Sequence, residues 1–170
     1  MDGSTTVDSY RYVSGITKRM LRTWVEMEQP RPIPWTPLRK PLSECKVALL
    51  SSAGAALTCD RPFDQEGERR NPWWGDPSYR VLPADATEKD VRLYHLHIDP
   101  RPAGQDLNCL FPLARLKELA RLGEIGAAAE QHFSIMGYIL QPETLLQVTT
   151  PLIIRDLRAE RADVVVLVPA

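Results

Sequence analysis

Apolar residues in this chain follow a helical period near the N-terminus, form continuous runs farther on, and lose all pattern in between. Tyr12, Ile16, Met20, Trp24 and Met27 recur every three or four positions. That spacing marks one face of a helix, predicted over residues 9–28 with Ser9 as its N-cap. Prolines at 30, 32, 34, 37 and 41 follow. Each fixes φ and lacks an N–H, so this stretch is extended and stays out of a sheet interior. It reads as a strap tying the helix to the main fold. KVALLS at 46–51 is a short apolar run that ends in Ser52, Ala53 and Gly54, as a buried parallel strand would. Residues 60–79 are polar and rich in turn formers, a loop of a length that tends to carry function. Residues 79–83 and VRLYHLHI at 91–98 read as strands.

Helical spacing returns at 113–122, with Gly123 as the stop, and a second short helix is expected over 125–132. Residues 142–161 read as a helix, broken or kinked at Pro151, with Thr150 as a possible cap. DVVVLV at 163–168 is the most hydrophobic strand of the chain. Strands alternating with helices predict an α/β domain whose sheet is mainly parallel, Rossmann-like or flavodoxin-like, and flanked by helices. The expected organisation is an N-terminal helix and strap at 1–42 and the α/β domain at 43–170. Strand order is not legible in the pattern.

Composition narrows the picture. The 170 residues fit one domain, and a hydrophobic fraction of 44% supports a single core. A net charge of −1 gives no electrostatic ground for a nucleic-acid partner or an anionic membrane surface. No apolar run approaches a membrane span, and the first ten residues carry no signal pattern, so a cytoplasmic location is expected. Cys45, Cys59 and Cys109 are widely spaced and form no CxxC. They read as reduced, partly buried thiols rather than a disulfide framework or a zinc ribbon.

A central parallel strand is ordinarily followed by a loop and a covering helix, because both sheet faces must be buried. DVVVLV is followed by Pro169 and Ala170, at the strand end where open α/β sheets bind ligands. Either this is a plain terminal strand or the reading frame is cut short.

The segments IPWTPLRKPLSECKVALLSSAG, GDPSYRVLP, YHLHID, DLNCLFPLARL, GEIG and HFSIMGY together resemble the component B family (selenoprotein B) of glycine, sarcosine, betaine and D-proline reductases. The resemblance covers residues 10–170 and is nearer to the short members than to the long clostridial ones. It implies that a strand like DVVVLVPA leads into a loop carrying a catalytic selenocysteine or cysteine. The nucleophile is then expected after Ala170, where a UGA codon would be read as a stop, and none of the three cysteines takes its place. The resemblance further implies reductive cleavage of a carbon–nitrogen bond. The substrate would be a small amine or amino acid held by a partner subunit, in some members as a Schiff base on a pyruvoyl group. Other reductase components or a thiol reductant are the implied partners, and a homo-oligomer is compatible with this. Selenium suits the chemistry because a selenol is ionised at neutral pH, whereas a thiol needs a depressed pKa. The 170-residue chain alone is expected to be inactive and marginally stable. No other cofactor is implied.

His95 and His97 lie two apart on the expected strand, which turns both side chains to one face. The family's histidine–aspartate pattern falls on His95, Asp99 and Asp106, followed by Pro112 and Leu116. His97 departs from the long members, which carry a small residue there. Either histidine is suited to protonating the leaving nitrogen, or to stabilising a selenolate as imidazolium, with Asp106 orienting the ring. The structural alternative is a pair of hydrogen-bonded core histidines and an aspartate that caps the next helix. Asp99 and Asn108 join the expected substrate-binding set. So do Ser52 and Gly54, where small residues leave room for a substrate or an anion, although a tight strand–loop turn explains them equally well. His132, Ser134 and Tyr138 of HFSIMGY complete it, with Gly137 allowing close backbone approach, against the slightly favoured alternative that the segment simply packs Phe133, Ile135 and Met136 on the sheet. Trp73 and Trp74 form a pocket wall or docking surface, or else plug the edge of the core. Arg61, Arg69 and Arg70 are candidate carboxylate ligands, although most arginines in such a loop are simply solvated.

Two further classes stay open. One is a binding or accessory module, complete at Ala170. The other is a metal-dependent hydrolase built on His95 and His97, with Asp99, Asp106, Cys109 and His132 as further donors. No ligand spacing beyond the lone HxH supports it, and no metal is assigned. A dinucleotide reductase finds no support, since no GxGxxG follows the first strand.

Overall fold

A computed structural model describes residues 11, 13–27, 32, 36–71 and 73–170. Contacts divide the chain into two units, Met1–Pro37 and Leu38–Ala170. The first contains helix α1 (Gly15–Met27). Ser14 caps it, its Oγ accepting the Thr17 N–H at 3.2 Å, so the helix starts later than its apolar spacing suggests. No residue of α1 is buried. Ser9, Tyr12, Glu28, Pro30 and Pro34 lie outside the described residues.

The second unit holds β1 (Lys46–Ser51), β2 (Ala55–Leu57), α2 (Gln65–Arg70), β3 (Tyr79–Pro83), β4 (Val91–Leu93), α3 (Arg101–Gln105), α4 (Leu113–Arg121), β5 (Ala127–Ala128), β6 (Gln131–Ile135), α5 (Thr150–Ala159) and β7 (Val164–Val168). This is a mixed α/β fold with a curled, mostly parallel sheet. β1 lies at its centre. β7 runs parallel along one side of it, from Val47↔Val164 to Ser51↔Val168. On the other side β5 pairs with Lys46 and Val47, and β6 then takes over at Leu50 and Ser51. β3 joins β6 antiparallel, and β2 with β4 forms a separate antiparallel pair. The main core joins β1 to α4 through Val47, Leu49, Phe111, Leu113 and Leu116. As expected, α4 ends at a glycine in the left-handed region, Gly123 with φ 74°.

Four local expectations are corrected. Residues 125–132 form β5 and β6, not a helix. Their alanines favour a helix by at most about 0.7 kcal/mol each over ordinary residues. Strand pairing beside β1 instead buries Ala129 and Phe133 completely, and burial decides the matter. The strand expected over 91–98 stops at Leu93. Its partner β2 is three residues long, and Gly54, at φ 61°, turns the chain away in front of it. Tyr94 N–H closes on the Gly54 carbonyl at 2.9 Å, so both histidines fall in the turn beyond. The 60–79 loop contains α2, capped by Asp64, whose Oδ1 accepts the Gly67 N–H at 2.8 Å. Finally, 142–161 is not broken at Pro151. A wider π turn at Leu145–Thr149 precedes it and accommodates the ring. Thr150 is not a cap there, because its Oγ1 donates to the Leu145 carbonyl at 2.8 Å.

All three cysteines are free; Cys45 is buried, whereas Cys59 and Cys109 are exposed. Among the described residues no helix is long and apolar enough to cross a membrane.

Candidate functional site

The carboxyl ends of β1, β6 and β7 meet along one edge of the sheet, because all three run parallel. Ser52 stitches them together. Its N–H donates to the Val168 carbonyl at 3.1 Å, and its Oγ accepts the Ala170 N–H at 2.9 Å. Gly54 N–H donates to the Ile135 carbonyl at 2.9 Å. Gly137 brings backbone against a histidine. A Cβ there would lie 2.5 Å from His95 Nε2 and 2.8 Å from the Ser52 carbonyl oxygen.

His95 and His97 remain neighbours although neither is on a strand. His95 Nδ1 accepts the His97 N–H at 3.1 Å, and the rings meet edge to face with centroids 5.8 Å apart. The His97 ring packs on Tyr138 at 4.4 Å. Burial, and secondarily the nearness of His97, holds His95 below the ordinary imidazole range.

The carboxylate in this group is not among the residues that patterning singles out. Glu68 on α2 places Oε1 2.9 Å from His97 Nε2. Its side chain is 3% exposed against 52% for His97, and its Oε2 is buried without a hydrogen-bond partner. The helix that carries it is firmly fixed. Gln65 Nε2 donates to the Tyr94 carbonyl at 2.7 Å, and Phe63 packs on Tyr94 at 6.0 Å. Asp76, itself buried, accepts the Asp64 N–H at 2.8 Å. Gln65 and Glu68 are three apart, so one face of α2 meets the histidine turn. The legible signal was Asp64 as a cap residue, which makes that spacing helical. The neighbouring Arg69 and Arg70 masked it by suggesting a solvated loop.

Other expected residues lie elsewhere in the bonding pattern. Asp99 pairs with Arg101 at 2.7 Å, and that partner holds it below the usual carboxylate range. Asp106 accepts from the side chain and backbone of Asn108 at 2.7 and 3.0 Å, and is lowered by those bonds. Neither aspartate bonds a histidine. Asp106 caps the turn at Leu107–Cys109, and Asn108 Oδ1 accepts the Ala114 N–H of α4 at 2.9 Å. Ser134 is fully buried, with Oγ accepting the Ala55 N–H at 2.8 Å. His132 is a core residue. Its Nδ1 accepts the Leu49 N–H at 3.0 Å, between the β5 and β6 ladders, and burial pushes its pKa down to about 4. Trp73 is exposed. Trp74 lines an open polar cavity of about 450 Å³ with Asp60, Arg61, Asp64, Asp76 and Arg80. Arg69 pairs with Glu66. The six donors considered for a metal are not gathered: among the described residues no group of three or more His, Cys, Asp or Glu side chains is placed to hold one.

No family model and no solved structure matches the chain. A D-proline reductase subunit gamma from Acetoanaerobium sticklandii is 34% identical over 138 residues, which is 81% of this chain and 53% of that protein. This chain is related to a D-proline reductase subunit. It spans about half of that relative's length. The relative's name speaks of an amino-acid reductase built from subunits. It names a gamma subunit rather than a component B, and it does not mention selenium.

Proposed function

We propose that this chain is a component-B-type subunit of a selenol- or thiol-dependent reductase, one that cleaves a carbon–nitrogen bond of an amino-acid-type substrate together with other reductase components. The observation that carries the reading is the hydrogen bond from Ala170 N–H to Ser52 Oγ. It delivers the backbone after β7 to the same sheet edge as Gly137 and His95. A nucleophile on the segment leading on from Ala170 would emerge beside the histidine pair, at the edge where open α/β sheets bind ligands. The similarity to a D-proline reductase subunit supports the amino-acid substrate class.

In this reaction a selenolate or thiolate attacks the carbon that bears nitrogen. The new bond forms as the carbon–nitrogen bond breaks, and its electron pair leaves on nitrogen, which takes a proton from an imidazolium of the pair. A second thiolate then attacks the selenium or sulfur. Carbon departs with the electron pair and is protonated, leaving a selenenylsulfide or disulfide for a thiol reductant to restore.

The deciding experiment reads the coding DNA past Ala170. A UGA or cysteine codon within the first few positions, with an open frame beyond, is the expected result. A UAA or UAG codon, or a continuing frame without cysteine or selenocysteine, would sink the reading.

A further inference from the structure

We propose that Glu68 is the positioning residue of a Glu68–His97 dyad, and that Nδ1 of His97 is the atom that transfers the proton. This rests on the reductase reading and assigns the proton-transfer role within it to one ring and one atom.

The two histidines are engaged differently. His95 is committed at Nδ1, which accepts the His97 N–H at 3.1 Å, and Gly137 packs close to its Nε2, where an added Cβ would stand 2.5 Å away. His97 has one ring nitrogen held and one open. Nε2 faces Glu68 Oε1 at 2.9 Å, and no hydrogen bond occupies Nδ1 among the described residues. The side chain is 52% exposed, so that nitrogen can reach a bound molecule.

Glu68 is an unusual residue to find buried. A carboxylate removed from water is costly unless it is paired. Here one oxygen meets His97 Nε2 and the other meets no donor. The adjacent Arg69 pairs with Glu66 instead. Among the described residues the buried carboxyl group therefore has a single hydrogen-bonding counterpart, Nε2 of His97. That contact places the proton of the neutral ring on Nε2 and leaves Nδ1 facing outward. A carboxylate that holds one imidazole nitrogen so that the other can donate is the arrangement that orients catalytic histidines. The Tyr138 ring at 4.4 Å limits ring rotation from the other side. In the bond-breaking step the Nδ1 proton passes to the nitrogen as it receives the electron pair, and His97 returns to its neutral Nε2–H form.

The test has two arms. The first is long-range ¹H–¹⁵N spectroscopy of the histidine rings in the 170-residue chain at pH 8. Wild type is expected to show His97 as the Nε2–H tautomer, Glu68→Gln to retain it through the amide oxygen, and Glu68→Leu to lose it. A wild-type Nδ1–H tautomer, or a Glu68→Leu spectrum unchanged at His97, overturns the dyad. If Glu68→Leu does not fold, the wild-type tautomer alone decides. The second arm measures turnover in the complete reductase with its partner subunits. His97→Gln is expected to lower kcat by about 10²–10⁴-fold, and wild-type kcat in that variant overturns the proton-transfer role. Absence of turnover in the wild-type assembly would count against the reductase reading, while the tautomer result stands or falls by itself.

Discussion

His132 sits where the β5 ladder hands over to the β6 ladder, and its Nδ1 takes the one strand N–H that falls between them, that of Leu49. Burial holds the ring neutral down to about pH 4. The unfolded chain takes up a proton from about pH 6.5 downward. The stabilisation is therefore complete above about pH 6.5 and lost as the pH falls towards 4, at a cost of up to about 3 kcal/mol. Denaturant melts between pH 7 and 4 are expected to show this loss. His132→Asn, whose Oδ1 can stand in for Nδ1, is expected to flatten the profile; an equally steep profile in that variant would place the acid sensitivity elsewhere. Gly137 makes a second expectation. An added methyl meets the Ser52 carbonyl, which is backbone and cannot yield as the His95 ring can. Gly137→Ala is expected to cost about 1–3 kcal/mol and to move the His95 ring resonances, and a variant with wild-type stability and unchanged resonances would contradict the contact. Ser52, Gly54, His95, His97 and Tyr138 were legible because small residues and histidines at strand ends are conspicuous against apolar runs. Glu68 was not, since its significance depends on α2 folding and turning inward. Asp106 was misleading for the opposite reason: an aspartate two positions before an asparagine satisfies itself locally.

At the scale of elements, an apolar run announces that something covers a strand, without saying what. KVALLS became the central strand, paired along both sides. DVVVLV has a ladder to β1 along one side only, and among the described residues its other side is unpaired. Val166 is 42% and Leu167 68% exposed. An open, β-branched edge of this kind templates pairing with another chain. Leu167→Lys is expected to reduce concentration-dependent self-association in sedimentation velocity. It should leave stability within about 0.5 kcal/mol, as for other surface changes. Unchanged sedimentation would mean that this edge is not what associates. The parallel α/β class could be read because runs of this type belong to sheets covered on both faces. The 125–132 strands could not be, because alanine and glutamine favour a helix until a neighbouring strand buries them.

For the whole molecule, the division at Pro37 separates a helix that buries nothing from a unit that carries the core. Every buried hydrophobic residue among those described lies from Cys45 to Ile153, inside Leu38–Ala170. The clamp on the start of β7 lies there too: Asp163 Oδ2 accepts the Lys46 N–H at 2.8 Å and pairs with Lys40 at 2.8 Å. A 13-residue helix without a buried stripe adds little stability of its own. A chain beginning at Leu38 is therefore expected to melt cooperatively within about 2 °C of the full chain, since about 1 kcal/mol moves Tm by several degrees at this size. The candidate site gives a second, independent reading of the same variant. Ser52, Glu68, His95, His97 and Tyr138 are all retained, so the His97 tautomer should be unchanged. A lower or non-cooperative melt with an altered tautomer would show that residues 1–37 help to hold the site. A matching melt and tautomer would leave Ile16, Met20 and Trp24, exposed along α1, with no part in folding the α/β unit.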